Sequence, residues 1–413
     1  MISDAERNRV VAAAEKHHDE TVSFLQEMIR TPSVNPPGEY EAIHELVRER
    51  YESYGWECET VWTPEDVLEE LGLDPAYPRP NLLSYVSRGD GPTIALNAHF
   101  DTVPIDDAEA WSYDPFGGEI DGDRVYGRGA MDSKGRIAAY TLAARALEAS
   151  ELLPEEATVV LAITCDEETG GEAGPGYVVD SGALEPDYAI VEGVCETIWH
   201  STSGVLNYRV DVEGKASHAG VSPEKGANAI IAASYVLQEL ERYADELTRE
   251  ESSVANVGSP TCVPSIIGGG VKTNVVPARC SIEIDQRVPP DMDEDEQIAA
   301  LTEAVTDVTL PAGTSATVTV TERIGSYYTE PQSDHVQSVK KNAEAIFGRE
   351  MPVTGIRGGS DARFFAQADA KTLNFGPGDM ESNPHGADEN ISLSQVRDAG
   401  ATVAASIVDA SRS

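Results

Sequence analysis

Basic residues are scarce in this chain. Its 413 residues hold 30 lysines and arginines against 72 aspartates and glutamates, which gives a formal net charge of −42. Only 8 of the basic residues are lysines. Nucleic acids and anionic membranes are bound through patches of positive charge. The scarcity therefore argues against a nucleic acid or an anionic membrane as a partner.

The acidic residues are dispersed along the whole chain instead of forming one block, which is typical of a solvated acidic surface. Repulsion among them would destabilise a compact fold in dilute buffer, but salt at molar concentration screens charges within about 3 Å. The composition therefore indicates a halophilic protein from a high-salt cytoplasm. It carries no information about the chemistry of the protein.

Long apolar runs are missing as well. No window approaches the roughly 20 uninterrupted apolar residues that cross a bilayer, and the first 20 residues lack the apolar core of a signal peptide. The cysteines are scattered, odd in number and never spaced as CxxC: Cys58, Cys165, Cys195, Cys262 and Cys280. They predict neither a disulfide framework nor a thiolate metal site. We expect a soluble cytoplasmic protein with buried, unreactive cysteines.

The strand and helix patterns of the first half predict an α/β fold. The apolar runs TIALNAHFDTV (93–103) and ATVVLAITCDEE (157–168) each end in polar residues. Between them lies KGRIAAYTLAARALEAS (134–150), which has the spacing of a helix. This succession predicts a parallel sheet covered by helices, with a functional site at the carboxyl ends of its strands.

The pattern changes after about residue 203. The alternating segments GVLNYRVDVEG, ARCSIEIDQRV and SATVTVTER predict half-exposed strands, and GANAIIAASYVLQELERYADEL and DEDEQIAALTEAVTDV predict helices. We therefore predict an inserted two-layer α/β domain of the ferredoxin-like kind over residues 204–323. Residues 1–203 and 324–413 would together form the other, catalytic domain.

Polar residues of the types that bind metals collect at the predicted strand ends. Taken singly, each is more often a helix cap or a turn residue. They are His99, Asp101, Asp132, Glu167, Glu168, Glu192 and His385. Together, imidazoles and carboxylates are the ligands that suit zinc, with cobalt or manganese as substitutes. Cations between the carboxylates would also remove their mutual repulsion, so the sequence predicts a divalent metal site.

Six segments of the chain resemble motifs of the dinuclear zinc metallopeptidase and deacylase family. In order they are AHFDTV, WSYDPFGG, DGDRVYGRGAMDSKG, DEETGG, GKASHAGVSPEKGANAI and HGADEN. The family contains succinyl-diaminopimelate desuccinylase, acetylornithine deacetylase, aminoacylase and the glutamate-releasing carboxypeptidase. The resemblance extends from about residue 20 to residue 395, which is nearly the whole chain. It implies that the second domain is a dimerisation or lid domain.

The resemblance implies two divalent metal ions, most of all zinc, with cobalt or manganese as alternatives. It implies Asp132 as a bridge between them, with His99 and Glu192 on one ion and Glu168 and His385 on the other. A cis peptide bond between Asp132 and Ser133 is implied too. Asp166 receives no role from the resemblance.

Three further residues receive catalytic roles from the resemblance. Asp101 would hydrogen-bond His99 and fix its tautomer. Glu167 would be the general base that takes a proton from water and passes it to the leaving amine. His218, supplied by the partner subunit of a homodimer, would donate to the oxyanion. The alternative for His218 is an ordinary structural histidine.

Substrate binding is implied for residues that suit a carboxylate, namely Asn274, Arg287, Ser360 and Arg363. A surface salt bridge is the alternative for either arginine. The other histidines match no motif of the family, and we interpret them as solvent or packing residues: His17, His18, His44, His200 and His335.

The resemblance implies a metal-dependent amide hydrolase that releases an amino acid from a small N-acyl amino acid. Glu192 favours deacylases that act on N-acyl amino acids, desuccinylase-like or acetylornithine deacetylase-like, and the SDAR sequence at 360–363 resembles the desuccinylase branch more than the acetylornithine one. A carboxypeptidase or dipeptidase with the same machinery is the first alternative. A non-catalytic metal-binding protein is the second, and it would have lost a ligand or the base. Residues 63–80 have no counterpart that we can assign.

Overall fold

A computed structural model describes residues 1–412, apart from the side chain of Met380. Its helices are α1 (Asp4–Ile29), α2 (Glu41–Ser53), α3 (Glu65–Glu70), α4 (Gly135–Ala149), α5 (Tyr177–Asp180), α6 (Ala229–Leu247), α7 (Glu294–Thr306), α8 (Asp334–Phe347), α9 (Ala362–Gln367) and α10 (Leu393–Ser411). Among the described residues, none of the helices has the length and apolar character that crossing a membrane requires.

The strands follow in chain order. They are β1 (Glu57–Trp62), β2 (Pro80–Ser87), β3 (Thr93–His99), β4 (Glu119–Asp121), β5 (Arg124–Tyr126), β6 (Thr158–Thr164), β7 (Tyr188–Val191), β8 (Ile198–Thr202), β9 (Gly204–Glu213), β10 (Ser217–His218), β11 (Thr261–Gly269), β12 (Val275–Val276), β13 (Arg279–Val288), β14 (Ser315–Ile324), β15 (Tyr327–Tyr328), β16 (Val353–Ile356), β17 (Lys371–Asn374) and β18 (Asn390–Ser392).

The described chain divides into two compact units. The first contains Met1–His200, Thr329–Thr354 and the chain from Ser360 onward, and the second contains Ser201–Tyr328 and Gly355–Gly359. The boundaries differ by a few residues from those expected at 203/204 and 323/324. The short segment 355–359 was expected in the first domain but belongs to the second unit, a long-range association that no local pattern of the sequence indicates.

The first unit is built on a mixed sheet in which β1-β2-β6-β3-β7-β17 lie side by side. Strands β6, β3, β7 and β17 are mutually parallel, whereas β2 runs antiparallel to both of its neighbours, β6 and β1. The sequence predicted the parallel part, and the reversed strand β2 makes the sheet mixed. β3 and β6 are buried along almost their whole length, which explains why each is a nearly continuous apolar run.

Helices α1, α4, α8 and α10 pack together around this sheet. α4 and α10 are rich in alanine, which lets them approach each other closely. At Gly400 of α10, an added Cβ would lie 2.8 Å from the carbonyl oxygen of Ala139 in α4. The packing therefore fixes the position of α4, whose first turn follows the loop that carries Asp132.

The second unit has two layers. Its sheet has the order β11-β13-β9-β14 with antiparallel neighbours, and α6 and α7 pack on it. Along the chain the order is strand, helix, two strands, helix and strand, which is the ferredoxin-like arrangement. Side chains of β9 and β13 alternate between buried and more exposed positions, as expected for a sheet with helices on one face only. The predicted fold class is confirmed.

Candidate metal centre

Five side chains of the first unit form two groups of donor atoms that could hold metal ions. The first group is His99, Asp132 and Glu192, and the second is Asp132, Glu168 and His385. Within each group the donor atoms lie within 4.8 Å of one another. Asp132 is the member that the two groups share.

The carboxylate of Asp132 lies between the two histidines. Its Oδ1 is 3.3 Å from Nε2 of His99, and its Oδ2 is 3.3 Å from Nε2 of His385. Glu192 Oε1 lies 3.4 Å from the first imidazole, and Glu168 Oε2 lies 3.2 Å from the second. Two donors on one zinc ion in tetrahedral geometry are about 3.3–3.4 Å apart. The spacing of these donor atoms therefore fits two metal positions bridged by Asp132.

A buried atom without a partner supports the same interpretation. Oε1 of Glu168 is shielded from solvent and has no hydrogen-bond partner among the described residues. A buried carboxylate oxygen without a donor is costly, whereas a bound cation would satisfy it. The donor set fits a pair of divalent ions.

The topology of the sheet explains why these residues meet. His99 is the last residue of β3, Glu168 follows β6, and Glu192 follows β7 directly. These strands are parallel, so their carboxyl ends lie at one edge of the sheet. Asp132 comes from the loop before α4, and its peptide bond to Ser133 is cis, as the resemblance implies.

A buried carboxylate, that of Glu389, holds the loop that carries Asp132. It accepts hydrogen bonds at 3.0 Å from three backbone N–H groups of residues 129–132 and one at 2.6 Å from Nη1 of Arg128. The Nη2 atom of Arg128 donates to the carbonyl oxygen of His385 at 3.1 Å. The pair therefore fixes the backbone of the shared ligand and of a ligand from a distant loop.

His99 is oriented by Asp101. Its Nδ1 donates to the carbonyl oxygen of Asp101 at 2.9 Å and lies 3.2 Å from the carboxylate of the same residue. This leaves Nε2 directed at Asp132 and Glu192. Burial alone would lower the pKa of His99, but the charges of Glu192 and Asp101 hold it well above its usual range. Such an accumulation of negative charge around one imidazole also favours a cation.

Glu167 lies beside the donor groups without belonging to either. Its Oε2 is 3.8 Å from Nε2 of His99. Burial raises the pKa of Glu167 well above its usual range, against a smaller opposing effect from His99. The carboxyl group therefore has a high proton affinity beside the donor group of His99 and Glu192.

Asp166, which the sequence analysis leaves without a role, anchors the turn that carries Glu167 and Glu168. It accepts hydrogen bonds from Nε of Arg79 at 2.6 Å, from the hydroxyl of Tyr40 at 2.7 Å and from the amide of Asn35 at 3.0 Å. Arg79 belongs to residues 63–80, the segment without an assigned counterpart. This segment therefore has a structural connection to the metal centre.

The predicted substrate residues of the first unit have other partners in the structure. Ser360 Oγ accepts hydrogen bonds from the amide of Asn374 at 2.7 Å and from the N–H of Ala362 at 3.2 Å. Arg363 is buried, donates to the carbonyl oxygen of Gly170 and pairs with Glu172 at 3.2 Å. Its guanidinium holds the turn that follows Glu168.

The remaining predicted residues belong to the second unit. His218 is exposed, and its Nδ1 accepts a hydrogen bond from the N–H of Gly220 at 3.2 Å. The backbone carbonyl oxygen of Asn274 accepts a hydrogen bond from the N–H of Ala219 at 3.0 Å. Arg287 pairs with Asp285 at 2.9 Å, which is the surface contact named as its alternative.

Sequence reasoning missed four buried residues around the centre. One is Arg136, which donates to Asp132 at 2.7 Å. Another is Asp361, whose pKa is raised to about 7 by burial. The other two are Arg128 and Glu389. Both occur in the motif segments DGDRVYGRGAMDSKG and HGADEN, so their position next to predicted ligands was a usable signal. The contact between Arg128 and Glu389 could not be predicted from the sequence.

The fold and the site together define a metal-dependent hydrolase that acts on amide or peptide bonds. The chain belongs to peptidase family M20/M25/M40, whose model matches residues 95–409. It is 27% identical over 386 residues to succinyl-diaminopimelate desuccinylase of Cereibacter sphaeroides, with 91% of this chain and 94% of the relative covered.

Two further similarities extend over most of the chain. An uncharacterized metallohydrolase of Methanocaldococcus jannaschii is 25% identical over 402 residues, with 91% of this chain and 95% of the relative covered. The structure of the dipeptidase Dug1p from Saccharomyces cerevisiae superposes with a TM-score of 0.75 at 16% identity, covering 98% of this chain and 99% of that one. At this identity the second comparison shows a shared fold only.

We predict that Arg79→Met lowers the stability of the protein much more than Arg88→Met. The side chains of Arg79 and Asp166 are 3% and 2% exposed, and removal of one partner from a buried ion pair costs about 3–5 kcal/mol. Arg88 pairs with Glu57 on the surface, where such pairs contribute about 0–1 kcal/mol. Urea unfolding in molar KCl measures both variants. Equal midpoints for the two variants would contradict the prediction.

Proposed function

We propose that this protein is a dinuclear-metal amide hydrolase that releases an amino acid from a small N-acyl amino acid. The observation that carries the proposal is the position of Asp132, each of whose carboxylate oxygens faces a different histidine at 3.3 Å. The similarity to a succinyl-diaminopimelate desuccinylase supports an acyl amino acid as substrate. The acyl group would be succinyl or acetyl, as in desuccinylases and acetylornithine deacetylases.

The proposed ligands are those of the two donor groups. His99 and Glu192 would hold one ion, Glu168 and His385 the other, and Asp132 would bind both. Imidazole and carboxylate suit zinc best, and cobalt or manganese would also be accepted. When bound, such a pair of ions supplies an acidic water and polarises a carbonyl group.

The side chains around the ions would orient and move protons. Asp101 keeps the proton of His99 on Nδ1, so that Nε2 stays available as a ligand. Glu167 would accept a proton at its carboxylate during attack on the amide and return it to the leaving amine. Its raised pKa suits a group that has to hold the proton between these two events.

Substrate recognition would use side chains that suit a carboxylate. Asn274, Arg287, Ser360 and Arg363 are the candidates for binding the substrate carboxylate. Arg287 is partly exposed and its partner Asp285 lies on the surface, so a substrate carboxylate could replace that partner. Arg363 would act by holding the turn at residues 170–172, because its guanidinium is already bound there.

We also propose that the protein is a homodimer formed through the second unit. Strand β11 is an edge strand of its sheet and exposes Ile266 and Ile267. Helix α6, which contacts β11, exposes Ile230, Ile231 and Tyr235. An apolar edge strand next to an apolar helix face is a surface that a second copy would cover. By resemblance, His218 of the partner subunit would then donate to the oxyanion.

Glu167 is the proposed general base. We expect Glu167→Gln to retain two metal ions per chain and to lose at least about 100-fold in turnover, the usual contribution of a general base. Metal analysis after dialysis and initial rates measure the two quantities. Glu155→Gln, at an exposed position before β6, serves as the control and should be unaffected. Turnover retained by the Glu167 variant would rule out the proposed base.

The second prediction concerns the substrate. In molar KCl with added zinc, cobalt or manganese, we expect hydrolysis of N-succinyl-diaminopimelate, N-acetylornithine or another N-acyl amino acid, and its loss on chelation. Dipeptides should be poorer substrates. Hydrolysis of dipeptides alone would favour the alternative, a dipeptidase or carboxypeptidase with the same machinery. Absence of all hydrolysis would contradict the proposed enzyme class.

The third prediction concerns assembly. We expect the native protein to have twice the mass of its 44.2 kDa chain in molar KCl, and Ile267→Glu to have the single mass and strongly reduced turnover. A charge inside an apolar interface destabilises it because no partner compensates the lost hydration. Light scattering after size exclusion measures the mass. Ile120→Glu, an exposed isoleucine of the first unit, is the matched control. An Ile267 variant that remains a dimer would place the interface elsewhere.

A further inference from the structure

A buried arginine, Arg136, contacts the carboxylate at the middle of the metal centre. It is the second residue of α4 and is 5% exposed. Its Nη1 donates to Oδ1 of Asp132 at 2.7 Å, and its Nε donates to the carbonyl oxygen of Gly193 at 2.9 Å. Gly193 directly follows the predicted ligand Glu192. The guanidinium is therefore fixed between the segments that supply two of the donor atoms.

Arg136 contacts only one of the two carboxylate oxygens of Asp132. Oδ1, the oxygen that binds Arg136, is also the oxygen that faces His99, whereas Oδ2 faces His385. The remaining amino group of the guanidinium, Nη2, lies 3.6 Å from the sulfur of Met131. The negative charges of Asp132 and Glu192 both stabilise the charged form of Arg136. A permanent positive charge therefore lies beside the His99 and Glu192 position, and no arginine or lysine of the described residues contacts Oδ2.

A fixed cation at this place has two physical effects. It repels a metal ion bound to the same carboxylate oxygen and withdraws electron density from that oxygen. It also holds Asp132 in a bridging orientation before any ion binds, because a bound carboxylate has few alternative rotamers. The repulsion weakens metal binding at the His99 and Glu192 position. The fixed orientation of Asp132 favours metal binding at both positions.

We propose that Arg136 is a positioning residue that makes the two metal positions unequal. It lowers the metal affinity of the His99 and Glu192 position relative to that of the Glu168 and His385 position, so the latter fills first. The inference rests on the proposed dinuclear site and goes beyond it, since the donor groups alone would give both positions the same residue types: one imidazole, one glutamate and the shared aspartate.

Stepwise zinc titration of the full-length protein by calorimetry, with metal analysis, tests the inference. For the native protein we expect two ions per chain with different dissociation constants. Arg136→Met removes the charge and the donors to Asp132 and Gly193 but keeps an unbranched side chain. It should tighten the weaker site by at least about tenfold, the size expected for the loss of one close charge interaction, and change the tighter site by less than threefold. Arg136→Lys keeps the charge and should leave the weaker site weak.

Ligand variants assign the two constants to their positions. His99→Ala should remove the weaker ion and His385→Ala the tighter one. These two variants test the inference even if Arg136→Met fails to fold. Loss of the tighter ion from His99→Ala would overturn it, as would an equal weakening of both sites by Arg136→Met, which would indicate a purely structural arginine. Fewer than two ions on the native protein would remove the dinuclear proposal, and this inference with it. Two ions of equal affinity would remove this inference alone.

Discussion

The metal centre depends first on the buried carboxylate of Glu389. It binds Arg128 and three backbone N–H groups of the loop at 129–132, and through Arg128 it also fixes the carbonyl of His385. Charge-assisted hydrogen bonds of this kind are strong when no water competes for them. They fix the backbone from which the Asp132 and His385 side chains project. The carboxyl ends of the strands supply other donor atoms, but without Glu389 the loop that carries Asp132 would lose the hydrogen bonds of three of its N–H groups.

Buried basic residues are concentrated around the candidate metal centre. Arginine and lysine are scarce, yet several of them are buried, and most of the buried ones contact segments that carry the metal centre. The buried basic residues near the centre are Arg79, Arg128, Lys134, Arg136 and Arg363. The exception is Arg7, which contacts Asp4 and Asn342. Molar salt screens the exposed acids of the surface but acts much less on buried pairs. The charges that shape the site are therefore screened by salt much less than the acidic surface is.

The sequence was sufficient to name the residues whose donor atoms meet. Strands β3 and β6 are apolar runs ending in His99 and in the acids after residue 165, and parallel strands bring such ends together. The ferredoxin-like order of the second unit also followed from its alternating patterns. The supporting contacts did not, because they join residues far apart in the chain. Arg128 and Glu389 are separated by 261 residues, and Arg79 and Asp166 by 87. The edge strand β1 was missed because its pattern is half exposed, and the buried strand β2 was missed because it is a short apolar run next to the segment at 63–80.

The three consecutive acids at 166–168 show how like charges can stand side by side in one turn. Asp166 has a left-handed backbone conformation, with φ of 63°, so the chain turns sharply there. Its carboxylate faces Arg79, that of Glu168 faces His385, and that of Glu167 lies nearest to His99. Each acid therefore has its own positive or protonatable partner, supplied by a different segment. The turn thus gives neighbours in sequence different partners: an ion pair that supports the turn for Asp166, and the surroundings of a proposed base and a proposed ligand for Glu167 and Glu168.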